Sequence, residues 1–204
     1  MIVFNHDEVL QRLLATKAVQ EAIAVQWVWE EKPVVGWVAT VTTLTQTKVT
    51  VDQGEAALAL AEGALSSSKD TLHAKTKQIV GLAKLRFRKD PVKSQAFVGL
   101  RALGTTATTT LRSADDLAAA WAKADATGSY VGTSLADYNA LRTSLATAQA
   151  GLESARATLR QAKKHQQSVL KDTHGDLVAW YGAATRVFDT NTETGALVRA
   201  QIPT

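Results

Sequence analysis

Cysteine is absent from this 204-residue chain, which excludes disulfides, thiolate-bound metals and cysteine nucleophiles. Proline occurs only at Pro33, Pro91 and Pro203, so few points force a helix to stop. There is no phosphate-binding glycine loop, no nucleophile elbow and no zinc-ligand spacing. The histidines His6, His73, His165 and His174 are scattered, no two at helical i,i+4 spacing, and no Glu-x-x-His pair marks a di-iron bundle. Asp172-Thr173-His174-Gly175-Asp176 is the one local Asp/His cluster, and a polar kink accounts for it better than a metal or catalytic site. Asp115-Asp116 reads as a solvated helix face. The expectation is therefore no enzyme, no cofactor and no metal.

Long hydrophobic runs are missing too. No segment reaches the roughly 20 apolar residues that span a bilayer. The nearest, Pro33 to Thr47, lacks charge but is rich in Thr. The start, from Met1 to Glu8, has neither the basic nor the apolar region of a secretory signal. Together with the lack of Cys this favours the cytoplasm, with non-classical export or the cell surface as alternatives.

What the chain does have is a heptad beat. Trp37, Leu44, Val51, Leu58, Leu65, Leu72 and Ile79 recur every seventh residue, and so do Tyr138, Leu145, Leu152 and Leu159. Three residues after most members sits a small side chain: Thr40, Thr47, Gly54, Ala61 and Ser68, then Ala148, Ala155 and Ala162. One large and one small residue per heptad is a narrow seam that admits a second helix closely. A shift of 94 residues superposes Leu58 on Leu152 and Leu65 on Leu159, as a duplicated unit or as convergence on one packing chemistry.

The predicted fold is all-α: a single elongated bundle of antiparallel helices with coiled-coil-like Leu/Ala seams, two of them up to ~57 residues long. Asn5 with Glu8 opens a first helix over about 6–31, with Val25 and Val28 among its apolar positions. Pro33 starts a second over 33–89, whose Val/Thr-rich entry competes with strand. Asp90-Pro91 starts a third over 92–126, with its own seam through Phe97, Leu100, Gly104, Ala107, Leu111, Ala114, Ala118 and Trp121. Ser134 with Asp137 opens a fourth over 134–190, with a break conceivable near Gly175. Residues 191–204 form a short helical arm.

Alternating these directions makes helix four climb beside helix two from its middle and overshoot it by ~30 Å at 1.5 Å per residue. The base near helix one and the stretch 170–190 would then be short of partners. Trp27, Trp29 and Trp37 at one end and Trp180, Tyr181 and Phe188 at the other become candidate end-to-end contacts.

Net charge is +4, but Lys69 to Arg101 carries +7 alone, densest at Lys84, Arg86, Arg88 and Lys89 between helices two and three. Complementing a helix dipole is the plain explanation. Contact with an acidic protein surface, such as Asp7, Glu8, Glu21, Glu30 or Glu31 of a second copy, is the functional one. No nucleic-acid motif accompanies the patch, which argues against nucleic acid. The expected function is structural: a homo-oligomer or filament built by end-to-end helix packing. The alternatives are a helical adaptor for another protein, and a pore-former that releases an Ala18–Val51 hairpin into lipid.

Overall fold

Asn5 does cap the first helix: its side chain accepts from the amides of Asp7 (2.9 Å) and Glu8 (3.4 Å). In the computed structural model, which describes residues 4–100, 103–188 and 192–200, six helices follow in order. They are α1 (His6–Ile23), α2 (Val34–Arg86), α3 (Pro91–Gln95), α4 (Ala107–Asp125), α5 (Leu135–Val187) and α6 (Glu193–Arg199). Among the described residues there is no strand, so the all-α bundle expected from the seams is the fold found.

The Val/Thr-rich entry of α2 is helical, because its hydroxyls bond to the helix itself. Thr40, Thr42, Thr43, Thr45 and Thr50 each donate to the carbonyl four residues earlier, at 2.9–3.1 Å. That satisfies the polar atom which otherwise draws Thr away from helix. Ser134 and Asp137 cap α5 reciprocally, each side chain bonded to the other's amide at 3.1 Å. No break occurs at Gly175, which lies inside the continuous α5.

Three boundaries differ from expectation. The first helix ends at Ile23 rather than near Glu31, because the Gln20 amide donates to Trp27 O (3.1 Å) and holds the chain in turns. Val25 is consequently 99% exposed and Val28 42%, not on a core face. The second and fourth helices stop at Arg86 and Val187, three residues short of the expected ends.

The expected third helix is two pieces, α3 and α4. Gly104 marks the join: a Cβ there would lie 2.0 Å from Thr109 Oγ1, within the capping box that Thr106 and Thr109 form at the start of α4. That extra reversal changes the parity of everything after it. His73 lies against Gly104 O (3.2 Å) and Arg86 against Asp125 (3.0 Å), so α4 runs parallel to α2. Helix α5 is then antiparallel to α2, not alongside it in the same direction.

The chain divides into two compact units. Unit 1 (Met1–Glu55 and Thr158–Thr204) contains α1, the first part of α2, the later part of α5, and α6. Its core gathers Val9, Leu13, Ile23, Trp29, Trp37, Leu44, Leu170, Leu177, Trp180 and Val198. The α2–α5 pair is antiparallel here, with Gly54 against Leu159 and Lys32 ion-paired to Asp176. A Cβ on Gly54 would come within 3.1 Å of the Leu159 side chain, so a small residue is what lets the helices approach.

Unit 2 (Ala56–Ala157) contains the rest of α2, α3, α4 and the first part of α5. Leu72, Ile79, Phe87, Phe97, Leu117, Trp121, Tyr130, Tyr138 and Leu145 form its core. The α2–α5 pair is again antiparallel, with Thr76 against Tyr138 and Glu62 near Arg156.

Both units are made from the same parts, because the chain repeats itself. His6 and Val34 begin α1 and α2; Ala107 and Leu135, each 101 residues on, begin α4 and α5. The long helices both have 53 residues, and the short ones 18 and 19. All six buried positions of α1 are buried again in α4: Val9/Thr110, Leu13/Ala114, Thr16/Leu117, Val19/Ala120, Gln20/Trp121 and Ile23/Ala124. The 94-residue offset read from the seams is thus one heptad short of the structural repeat. A heptad pattern superposes equally well on its neighbouring register, so periodicity alone could not choose.

Candidate functional site

The predicted seam residues lie where two long helices meet. Leu44, Leu72 and Leu145 are fully buried, with Val51, Leu152 and Leu159 nearly so. Leu58 and Leu65 are half-buried. The second seam continues further than its Leu residues suggest, through Gln166, Thr173 and Trp180, all buried. The Gln166 Nε2 has no hydrogen-bond partner.

The six aromatic residues expected at free ends belong to one interior. Trp37 and Trp180 are fully buried and Trp29 is 7% exposed, stacked on Trp37 at 5.8 Å. Trp27 packs edge-on against Phe188 (5.9 Å), and half-buried Tyr181 rests on the same cluster. The stretch expected to project, 170–190, is covered within unit 1 as far as it is described, because α5 descends onto α1. The basis for end-to-end docking is therefore missing on both counts.

The other candidate clusters are also structural. His174 packs on Phe4 (5.1 Å) and Asp176 pairs with Lys32. Among the described residues no group of three His, Asp or Glu could hold a metal ion, and no helix is long and apolar enough to cross a membrane. Burial pushes the Tyr138 phenol up to about 12, against a smaller opposing pull from its hydrogen bond to Thr76. Tyr130 is also raised by burial, with the nearby Arg86 guanidinium opposing.

The remaining surface of interest is the solvent side of α2. Within unit 2, Leu60, Ala64, Ser67, Thr71, Ala74, Gln78, Leu82 and Leu85 follow one another at three- and four-residue steps, so they share one helix face. All eight are exposed and none is charged. Leu60 is 76% and Leu85 65% exposed. An open trough of about 700 Å³ lies on this face, lined by Ala74, Lys77, Gln78, Gly81, Leu82 and Leu85.

Cations border it. Lys77 and Lys84, seven residues apart, lie along one edge of the stripe, and Arg88 and Lys89 follow in the turn just beyond the end of α2. None of these four makes an ion pair among the described residues, and all are exposed. The predicted tip thus divides. Arg86 is internal business: it pairs with Asp125 at 3.0 Å and lies over Tyr130 and Phe87 at 5.5 and 5.6 Å. Lys84, Arg88 and Lys89 are exposed and make no ion pair among the described residues. Arg101, at the end of the basic run, lies outside the described residues.

The repeat supplies a control for this surface. The positions equivalent to the stripe on α5 are Gln161, His165, Ser168, Asp172, Gly175, Ala179, Ala183 and Arg186. No large apolar residue is among them, and Val178 and Thr185 stand where Lys77 and Lys84 stand on α2. One helix of the pair carries a leucine stripe with a basic border; its structural equivalent does not. Sequence reading missed the stripe because the seam drew attention to the 3.5-residue period, while the stripe follows the 3.6-residue period of a straight helix. The run of uncharged residues was there to be counted.

Comparison with known proteins finds no matching family model, no similar curated protein and no similar solved structure.

Proposed function

We propose that this chain is a structural, non-catalytic protein that works by helix packing against another polypeptide, with the outer face of α2 as the contact surface. The observation that carries this reading is the inequality of the two repeats. The α5 C-terminal turns fold with Val178, Thr185 and Arg186 where α2 has Lys77, Lys84 and Leu85. The bundle therefore does not require the leucines, or a cation at positions 77 and 84, that α2 displays. Exposed leucines in a row lose apolar contact with water when a second helix covers them, at about 25 cal/mol per Å².

Self-association is the second reading, and one observation favours it. Leu60 and Leu82 lie eleven residues either side of Thr71 on the same face. A second copy packed antiparallel about Thr71 sets Leu60 against the partner's Leu82, and the reverse, as two-fold symmetry demands.

Because the chain has no cysteine, Leu82→Cys gives one attachment point for a photoreactive maleimide. Ala183→Cys, on the equivalent position of α5, is the matched control. Irradiation in cell extract is expected to give a discrete protein adduct from position 82 and none from position 183. Equal adducts from both positions, or none from either, would remove the reading.

A further inference from the structure

Resting on that reading, we infer that the upper half of the α2 stripe, from Ala74 to Leu85, with the cations beside and just beyond it, is a docking groove for an acidic amphipathic helix of a different protein. The shape is a trough of about 700 Å³ on one side of a helix, with Leu82 and Leu85 on its wall and small residues, Ala74 and Gly81, on its floor. Apolar side chains spaced one helical turn apart fill such a trough from a facing helix. The chemistry of the flanks is set by the border. Lys77, Lys84, Arg88 and Lys89 make no ion pair among the described residues; of the acids flanking them in sequence, Asp90 caps α3 by accepting from the Lys93 amide (3.1 Å) and Asp70 is paired to Lys69 at 3.4 Å. Unit 2 holds thirteen basic against eight acidic residues, a net of +5, while unit 1 holds ten against eleven.

A second copy does not supply the missing charge. Packed antiparallel about Thr71, it offers Glu55 and Glu62 to this stretch. Those carboxylates are engaged within their own chain, Glu55 by Lys163 (2.7 Å) and Glu62 by Arg156 (3.9 Å). The partner must bring its own carboxylates, placed beside an apolar stripe.

The test uses the full chain and a labelled synthetic helical peptide of about three heptads, Leu at the seam positions and Glu at the flanks. Fluorescence anisotropy is expected to show binding that weakens at least tenfold between low salt and ~0.5 M salt, as screening shortens the reach of the charges. Leu82→Gln with Leu85→Gln should weaken it at least tenfold. Lys77→Glu, Lys84→Glu and Arg88→Glu together should abolish it and transfer binding to the same peptide with Lys flanks. All five positions are exposed, and circular dichroism confirms that each variant is folded. Equal binding of acidic and basic peptides to the native chain overturns the inference. So does tighter binding to vesicles rich in anionic lipid than to the peptide, with no response to the leucine changes. Concentration-dependent dimerisation abolished by Leu60→Glu or Leu82→Glu also overturns it, yet leaves the helix-packing function standing with a second copy as occupant.

Discussion

Gln20 and Trp180 meet in unit 1, and the residues at the corresponding positions of unit 2, Trp121 and Ile79, are both buried in its core. Gln20 corresponds to Trp121 by the 101-residue shift, and Ile79 to Trp180, so the large residue stands on the long helix in one unit and on the short helix in the other. In unit 1 the long helix brings the indole, and its Nε1 donates to Gln20 Oε1 at 2.6 Å. In unit 2 the short helix brings it, packed against Tyr130 (4.8 Å) and Tyr138 (5.8 Å), and the Trp121 Nε1 has no acceptor among the described residues. A second exchange runs the other way. Tyr138 bonds Thr76 at 2.6 Å in unit 2, whereas its equivalent Trp37 stacks on Trp29, has the apolar Leu177 at the position equivalent to Thr76, and has no partner for its Nε1 among the described residues. At these two positions each unit thus has one satisfied and one unsatisfied aromatic polar group, exchanged between them. A large aromatic side chain is kept at each site while its hydrogen bonding is not, so burial of the ring is the common feature and polar pairing the variable.

The largest expected effect comes from forcing one unit to adopt the other's solution. Trp180→Ile alone empties a buried site and strips Gln20 of its donor, at a cost of about 3–5 kcal/mol. Gln20→Trp alone overfills the same site, costing about 1–3 kcal/mol. Together they place the unit 2 residue pair inside unit 1. Urea denaturation should show the double variant clearly more stable than the sum of the single effects predicts. Simple additivity would mean that the two pairs are alike in position only.

Next come the seams. Leu152 is 5% exposed, whereas Leu58 is half-buried. Leu152→Lys places an ammonium in the α2–α5 interface and should cost about 3 kcal/mol or more. Leu58→Lys can lay its stem along the seam and keep its charge in water, for less than about 2 kcal/mol. Matching melting temperatures would show the two sites equally enclosed.

Alkali separates the units differently, since only one of the paired aromatics titrates. Tyr138 has a folded value of about 12 against an ordinary 10.0, and Trp37 has no proton to lose in this range. Below pH 10 both folded and unfolded chains hold the phenol proton and the full stability is present. As pH rises from 10 towards about 12 the unfolded chain ionises first, so stability falls across that window. Tyr138→Phe should be less stable at pH 7, by roughly the ~1 kcal/mol of a hydrogen bond. The gap between the two proteins should then close as pH climbs through the window. A gap that stays constant would place the phenol in contact with solvent.

Much of this architecture is written in local patterns. The caps at Asn5, Asp90 and Ser134 act within three residues, and the seams repeat within seven, so each is readable without knowing what lies across the chain. What could not be read is what depends on distant partners. The Gln20 amide ends α1 by capturing Trp27 O, a competition that no helix propensity contains. Gly104 looked like one more small seam residue, yet it is where the chain turns, and that reversal set the direction of α4 and α5. Misreading one break therefore misplaced every later helix and invented uncovered ends. Gln166 and Thr173 occupy seam positions that a Leu-based count passes over. The basic tip was visible as charge, but only the Arg86–Asp125 pair reveals that one of its four members is tied into the fold by an ion pair.

The smallest expected effect on stability is the one on which the functional reading leans hardest. Lys77 and Lys84 have as their counterparts in the repeat Val178 and Thr185, so the same fold is built with a neutral residue at each place, and Arg88 is exposed with no ion pair among the described residues. Replacing all three by Glu should therefore cost no more than about 1 kcal/mol, chiefly from acidic groups set against the carboxyl end of a helix. Arg86→Glu is the contrast, because it breaks the Asp125 pair and the contacts over Tyr130 and Phe87, and should cost more by itself than the three together. Thermal melts of the two proteins at equal salt decide the matter. If the triple variant unfolds as readily as Arg86→Glu, those cations hold the bundle together, and their presence on α2 alone says nothing about a partner.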